Sequence, residues 1–245
     1  MRSKFLVVCA SILVTLLMGH HFIHAQTAGP APNAGPTAAP AAKIPWKLTV
    51  VILDGVDLDE KAEVPVREAV AFVERHSRFA FEVEYVVSSV SHRYTRYRVP
   101  DAKGKRPEYA YSMLGWDLPR RFVRGLPVST SYIFLYKMNG RRPAQAGSAF
   151  GLNFGLVVGG RPRPYATIPT DVYWFVNTPN LGFKSWAAQV VAHEIINTIQ
   201  GKLEARPYRC GQLNGTPTSL GEQYEAERLQ AISEKCYSRI VRTRK

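Results

Sequence analysis

His193 and Glu194 are the two adjacent residues of this chain whose types are best suited to metal-assisted hydrolysis. They open the segment HEIIN, which ends at Asn197. On an α-helix, residues at positions i and i+4 lie on one face, one turn apart, where both side chains can reach a single metal ion. A carboxylate beside the first of them is then placed to take a proton from a metal-bound water molecule.

Residues 186–204 must position these side chains, and their hydrophobic pattern predicts one long amphipathic helix. Its apolar face consists of Ala188, Val191, Ala192, Ile195, Ile196, Ile199 and Leu203. Its polar stripe consists of His193, Asn197, Gln200 and Glu204, with Glu194 and Thr198 on the flank. The pattern therefore predicts a helix that packs on a core and turns its polar side toward a cleft or water.

This segment resembles the active-site helix of the zincin metallopeptidases. An uncharged apolar run, residues 190–192, precedes the HEIIN segment, and Thr198-Ile199 follow it. The resemblance implies a single zincin-like domain of the α+β class, with a mixed sheet packed on an N-terminal helix and the His-Glu helix, plus a C-terminal helix. It also implies a cleft between the His-Glu helix and an edge strand, which residues 147–158 or 165–176 would supply.

The resemblance further implies a role for each candidate site residue. Glu194 would be the catalytic general base, and His193 and Asn197 stand where zincins have two zinc-binding histidines. A third ligand on a later helix, as in the gluzincin branch, falls on Glu222 or Glu225. The implied cofactor is zinc, and the implied activity is hydrolysis of a peptide or protein substrate.

The sequence departs from the zincin pattern at the second ligand. Asn197 offers only a neutral amide oxygen, which suits calcium better than zinc. The carboxylates also have alternative roles, because Glu222 fits the end of a helix-capping box and Glu225 fits a solvent-exposed helical charge. A three-histidine site would require both other histidines of the mature chain to converge on His193, namely His76 and His92.

The N-terminal residues predict export. Residues 1–25 have a basic start, an apolar run and a small-residue end, which is typical of a cleaved secretory signal peptide. The alternative is an uncleaved membrane anchor. Residues 26–43 are rich in Ala and Pro and predict a disordered linker, so the folded domain is expected at residues 44–245 in the extracellular space or the periplasm.

Secretion changes how the cysteines are interpreted. Cys9 would be removed with the signal peptide, which leaves Cys210 and Cys236. Two cysteines in an oxidising compartment predict one disulfide bond. The alternative is a zinc site that uses a thiolate, but the sequence has no Cys-x-x-Cys spacing to indicate one.

The remaining pattern supports the α+β assignment. Four strands are predicted at 46–53, 79–90, 131–138 and 165–176, and residues 147–160 are predicted to be glycine-punctuated strand and loop. Helices are predicted at 65–76, near 108–114, at 186–204 and from 219 onward. The last helix has a core stripe of Leu229, Ile232, Cys236 and Ile240.

The net charge of +13 favours an anionic partner such as a surface polymer. We expect no nucleic acid, because the chain is predicted to be secreted and its RYTRYR run fits an amphipathic strand. We also expect a monomer without a membrane span after signal cleavage. Three hypotheses follow: a secreted zincin-like hydrolase, a non-catalytic relative that binds a peptide or an anionic polymer, and an unrelated module in which His193-Glu194 is incidental.

Overall fold

The computed structural model describes residues 42–56, 60–99, 108–145, 147–152, 155–171, 183, 185–205, 208–210 and 222–242. They all belong to one compact unit, Ala41–Lys245. The predicted signal peptide, the linker up to residue 41, and the predicted cap at Ser219 lie outside the described residues. Within the described part, no helix is both long enough and apolar enough to cross a membrane.

The described residues form nine strands and four α-helices. The strands are β1 (Ile44–Ile52), β2 (Phe79–Val87), β3 (Thr95–Val99), β4 (Glu108–Ser112), β5 (Ser131–Tyr136), β6 (Ser148–Phe150), β7 (Val157–Val158), β8 (Arg161–Pro162) and β9 (Tyr165–Pro169). The helices are α1 (Glu60–Arg75), α2 (Arg120–Gly125), α3 (Trp186–Glu204) and α4 (Glu222–Arg242), with a short 3-10 helix at Gly115–Asp117. This content is consistent with the predicted α+β class.

Five of these strands form one mixed sheet in the order β2-β1-β5-β9-β6. The first four run parallel, and β6 pairs antiparallel with β9 at the edge. Every residue of β5 and β9 is buried, which explains why these interior strands have nearly continuous apolar sequences. The prediction of residues 147–158 as the edge is confirmed by β6, whereas the alternative, 165–176, is wrong because β9 lies inside the sheet.

The sheet separates two hydrophobic clusters. Alternate side chains of β5 point to opposite faces, so Ile133 and Leu135 join one cluster while Tyr132 and Phe134 join the other. The first cluster is completed by the apolar faces of α1, α3 and α4. The second includes residues from β7, from α2 and from the segment between β4 and α2. The two faces therefore carry different surface elements, and each has its own candidate site.

One predicted helix is a strand. Residues 108–112 form β4, which pairs antiparallel with β3, so the prediction of a helix near 108–114 is wrong. The pairing places Tyr109 opposite Arg98, and the Arg96 guanidinium lies 4.3 Å from the centre of the Tyr109 ring. Cross-strand contacts of this kind override local helix preference because strand stability comes from neighbouring strands.

Other predicted ends of helices and strands differ from the observed ones by a few residues. Helix α1 begins at Glu60 rather than residue 65, with Pro65 inside it. The strands predicted to end at 90 and 138 end at Val87 and Tyr136. The strand predicted to end at 176 is described only as far as Pro169, and residues 172–180 lie outside the described part.

Candidate functional site

Helix α3 has the predicted bounds, Trp186–Glu204. It begins where the Ser185 side chain accepts a hydrogen bond of 3.1 Å from the backbone N–H of Ala188, a standard helix N-cap. All seven residues of the predicted apolar face are buried. The predicted polar stripe is divided, because Glu204 is exposed whereas His193 and Asn197 are only partly exposed. These partly exposed side chains face α4 and not open water.

His193 lies against Glu225 of α4. Its Nδ1 atom is 2.6 Å from Oε1 of Glu225, and the Glu225 side chain is 0% exposed. The alternative that Glu225 is a solvent-exposed charge is therefore wrong. A buried carboxylate is strongly destabilising without partners, so contact with His193 explains how this charge is tolerated inside the protein.

Arg228 is the second partner of Glu225 and extends the network back to α3. Its Nη1 atom is 3.5 Å from Oε2 of Glu225, and Nη2 donates to Oδ1 of Asn197 at 2.5 Å. Nη2 also donates to Oε1 of Gln200. The guanidinium group therefore bridges Asn197, Gln200 and Glu225 in a buried position.

Glu194 lies on the other side of Asn197. Nδ2 of Asn197 donates to Oε2 of Glu194 at 3.2 Å, and the Glu194 residue is only 4% exposed. Burial raises the pKa of Glu194, an effect that the neighbouring His193, Asn197 and Arg228 partly offset. We call the connected set the α3–α4 polar cluster; its members are His193, Glu194, Asn197, Gln200, Glu225 and Arg228.

The edge strand closes over Glu194. Gly147, immediately before β6, lies so close that a Cβ atom there would be 2.6 Å from Oε1 of Glu194. Helix α3 also contacts β6 and β9. The carboxylate consequently faces protein backbone on one side and Asn197 on the other. A catalytic base would need a water molecule within hydrogen-bond reach, and neither of these surfaces supplies an open cleft.

The arrangement does not fit a zinc ion. Glu225, a predicted third ligand, is held by Nδ1 of His193 and by Arg228, and the Asn197 amide oxygen accepts from Arg228. The positive guanidinium beside both would repel a divalent cation. Among the described residues, no three His, Cys, Asp or Glu side chains are grouped so that they could hold a metal. The side chain of Glu222, the other predicted third ligand, lies outside the described part.

The remaining two histidines of the described chain lie elsewhere. His76 follows α1, and its ring packs 4.6 Å from that of Phe72. His92 packs 4.8 Å from Tyr94 and 5.4 Å from Tyr136, where burial lowers its pKa. Neither joins His193 in a group that could hold a metal, so the three-histidine arrangement is not formed.

The predicted disulfide is present between Cys210 and Cys236, with 5.6 Å between the Cα atoms. It ties α4 to the segment just after α3. Helices α3 and α4 contribute all six residues of the α3–α4 polar cluster. No thiolate is therefore left on either cysteine for the alternative zinc site.

Sequence reasoning missed Arg228 and the buried state of Glu225. A signal for Glu225 existed, because Leu229, Ile232 and Cys236 follow it at i+4, i+7 and i+11 and are all buried. Glu225 thus lies on the core stripe one turn before its first apolar member. Arg228 has the matching i+3 spacing for an ion pair with Glu225.

The α3–α4 polar cluster as a whole can hold two helices together through charge-assisted hydrogen bonds. Within it, the carboxyl group of Glu194 lies against Asn197 and the backbone of Gly147. No protein-family model matches the chain, and no curated protein matches it significantly in sequence. The function must therefore be inferred from these side chains and from the surface charge.

Proposed function

We propose that the chain is a secreted, non-catalytic relative of the zincin metallopeptidases, acting as a monomer that recognises an anionic partner. Support for the scaffold comes from the HEIIN segment on a long helix, together with an antiparallel edge strand beside that helix. The resemblance implies this placement of the edge strand. Support for the loss of catalysis comes from the α3–α4 polar cluster.

The single observation that carries the proposal is the position of the Arg228 guanidinium. It contacts Asn197, at the second ligand position of the motif, and Glu225, at the position of a later-helix ligand. In a zincin, a divalent cation would bind the side chains at these two positions. Here the positive charge beside them is the guanidinium group of Arg228, so the proposed ancestral site is neutralised without a metal.

The state of Glu194 supports the same conclusion. A general base must be ionised and must touch the water that it activates. Burial raises the pKa of Glu194, and Gly147 and Asn197 lie directly against its carboxyl group. Of these conditions, contact with water is poorly met, because Gly147 and the Asn197 amide lie against the carboxyl group.

The surface supports binding of an anion. Arg161 and Arg163 lie near Lys202, and burial together with their positive charges lowers the pKa of Lys202. With a net charge of +13 over the whole chain, such unbalanced basic groups attract negatively charged polymers.

A metal-dependent peptidase remains the competing candidate, and one observation favours it. His193, Glu194 and Glu225 do lie together, which is the set of residues that a gluzincin-type site would use. In that case Arg228 would have to leave the cluster to admit the metal. Measurement of bound zinc distinguishes the two candidates.

The experiment is elemental analysis of the secreted protein purified without chelator. We expect less than stoichiometric zinc in the wild type and in Asn197→His, and about one zinc per chain only when Asn197→His is combined with Arg228→Gln. The matched control combines Asn197→His with Arg121→Gln, which removes the same charge from an exposed position on α2. Stoichiometric zinc in the wild type that is lost in His193→Ala would establish the peptidase candidate instead.

A further inference from the structure

A cavity of about 720 Å³ lies on the side of the sheet opposite α1 and α3. We call it the Trp116 cavity, after the tryptophan in the short 3-10 helix that forms one of its walls. The other walls are α2 and the hairpin of β7 and β8, whose two-residue turn is Gly159-Gly160. Its volume falls within the range of roughly 300–1,000 Å³ found for small-molecule sites.

Trp116 is an exposed aromatic residue that is held in place. The residue is 56% exposed, and its Nε1 atom donates to Oγ1 of Thr95 at 3.2 Å. The backbone of Gly155, at φ +88°, covers part of the ring; a Cβ atom there would be 3.3 Å from the indole. Since a large exposed aromatic surface is unfavourable in water, a fixed ring of this kind indicates a contact surface for a ligand.

The turn that carries Trp116 is itself rigid. Oδ2 of Asp117 accepts from the backbone N–H of Leu114 at 2.8 Å and from the backbone N–H of Thr95 at 3.1 Å. The backbone N–H of Gly115 donates to the Tyr165 hydroxyl at 2.8 Å. The indole is therefore pre-positioned, which lowers the entropy lost when a ligand binds.

Two arginines supply positive charge beside the ring. Arg120 and Arg124 are exposed, line the cavity and lie one helical turn apart on α2. Neither side chain forms an ion pair or hydrogen bond with any residue that the structure describes. Among the described residues, no acidic side chain lines the cavity. Two like charges at this spacing repel each other, and a bound anion would relieve the repulsion.

We propose that the Trp116 cavity binds an acidic saccharide, with a sugar ring against the indole of Trp116 and a carboxylate between the guanidinium groups of Arg120 and Arg124. This assignment rests on the proposed function, because it names the anionic partner. Guanidinium groups match carboxylates in shape and charge. A sugar ring has room beside the exposed face of the Trp116 indole, because the facing wall contains Gly155, Gly159 and Gly160, which have no side chains.

An acidic peptide fits the cavity less well. Extended peptides are usually held by backbone hydrogen bonds along a free strand edge. The strand nearest the cavity is β7, which has two residues, of which only Val157 lines the cavity. A saccharide does not require a free strand edge, so the two arginines and the indole of Trp116 are sufficient to bind it.

The test is calorimetric titration of the full secreted protein with tri-galacturonate, with neutral maltotriose, and with tri-glutamate as the peptide of equal charge. We expect tri-galacturonate to bind, and maltotriose and tri-glutamate to bind at least about tenfold more weakly. Trp116→Ala and the double variant Arg120→Gln/Arg124→Gln should each weaken tri-galacturonate binding by about tenfold or more, as expected for the loss of a stacking surface or of charge-assisted hydrogen bonds.

The matched control is Arg121→Gln, which removes one charge from the same helix at a residue outside the cavity lining. Its affinity should stay within about twofold of the wild type, since exposed charges away from the site act only weakly. Equal weakening by Arg121→Gln and by either cavity variant would overturn the assignment in favour of diffuse charge attraction. Equal binding of tri-glutamate, or no binding of tri-galacturonate, would also overturn it.

The zinc analysis separates this test from that of the proposed function. Cavity-dependent binding of tri-galacturonate by a protein that also holds stoichiometric zinc would support the cavity and overturn the non-catalytic assignment. A zinc-free protein that does not bind tri-galacturonate would overturn the cavity assignment and leave the metal-free scaffold in place.

Discussion

In the α3–α4 polar cluster each charged side chain lies against another member, whereas no described carboxylate lines the Trp116 cavity beside its two arginines. Glu194, Glu225 and Arg228 of the cluster are buried, and the two cavity arginines are exposed on the other face of the same sheet. Buried charges must be paired because desolvation is expensive, while exposed charges keep their hydration. The cluster side chains thus contact mainly one another, while the two arginines remain accessible to a ligand.

This comparison separates stability from binding. The HEIIN segment, the most conspicuous motif of the sequence, places its side chains against α4, while Arg120 and Arg124 on α2 face solvent. Substitutions in the cluster should therefore change the free energy of unfolding, and substitutions in the cavity should change affinity. The predictions below test that division, beginning with the largest effect.

Arg228→Met should be the most damaging change. It leaves Glu225 buried with only His193 as its partner, and removal of one side of a buried pair costs about 3–5 kcal/mol. The free energy of unfolding from urea denaturation measures the loss. The matched control, Arg121→Met at an exposed position, should stay within about 0.5 kcal/mol of the wild type. If both variants match the wild type, the cluster does not stabilise the fold.

Gly147→Ala should destabilise the protein by about 1–3 kcal/mol, the usual cost of overpacking a buried contact. The added methyl group would meet Oε1 and Cγ of Glu194 at 2.6 and 2.9 Å. Gly151→Ala is the control, because nothing lies within 4 Å of a Cβ atom there. Thermal denaturation of the two variants gives the comparison, and equal midpoints would mean that Glu194 does not lie against Gly147.

Glu194→Gln tests the buried carboxyl group through its pH dependence. Because burial raises the pKa of Glu194 above the ordinary value of 4.5, the folded chain holds this proton more tightly than the unfolded chain. Stability from this group is present below pH 4.5 and is lost as the pH rises through the folded pKa. For each unit by which burial raises the pKa of Glu194, the free energy of unfolding is lower by about 1.4 kcal/mol at pH values above the folded pKa.

The Glu194→Gln variant has no such titration and should be more stable than the wild type at neutral pH. Urea denaturation at a series of pH values from about 4 to about 8 measures the difference in slope. Glu82→Gln, at an exposed position on β2, should leave the slope unchanged. A wild type whose stability rises over this window as steeply as that of Glu194→Gln would contradict the prediction.

The double variant Arg120→Gln/Arg124→Gln should have the smallest effect on stability. It removes a repulsive pair one turn apart, so the free energy of unfolding should stay equal or rise by about 0.2–0.5 kcal/mol. The same denaturation assay measures it beside the affinity for tri-galacturonate. A loss of several kcal/mol would mean that these arginines support the fold, and the contrast with the α3–α4 polar cluster would disappear.

The features that the sequence predicted well are those set by local periodicity. The apolar spacing of residues 186–204 predicted both ends of α3. The predicted disulfide followed from the number of cysteines in a chain that is predicted to be exported. The strand core of β5 followed from its apolar run. Each of these depends on residues close together in the sequence or on composition alone.

The features that it missed depend on distant partners. The helix predicted near 108–114 became β4 because β3 lies beside it. The alternative that Glu225 is a solvent-exposed charge is wrong because its burial depends on His193, 32 positions earlier. The strand order likewise follows from packing of the whole sheet, which no local pattern specifies.

The Cys210–Cys236 bond has a consequence for the order of events during maturation. Helix α4 carries Glu225 and Arg228. The disulfide bond links this helix to the segment after α3 and closes a loop of 26 positions. Closing such a loop contributes about 3–4 kcal/mol by restricting the unfolded chain. In a reducing cytoplasm that contribution is absent, and α4 would dock late and reversibly. If the chain is exported as predicted, oxidation completes the fold after transport, and the precursor lacks this stabilisation while it crosses the membrane.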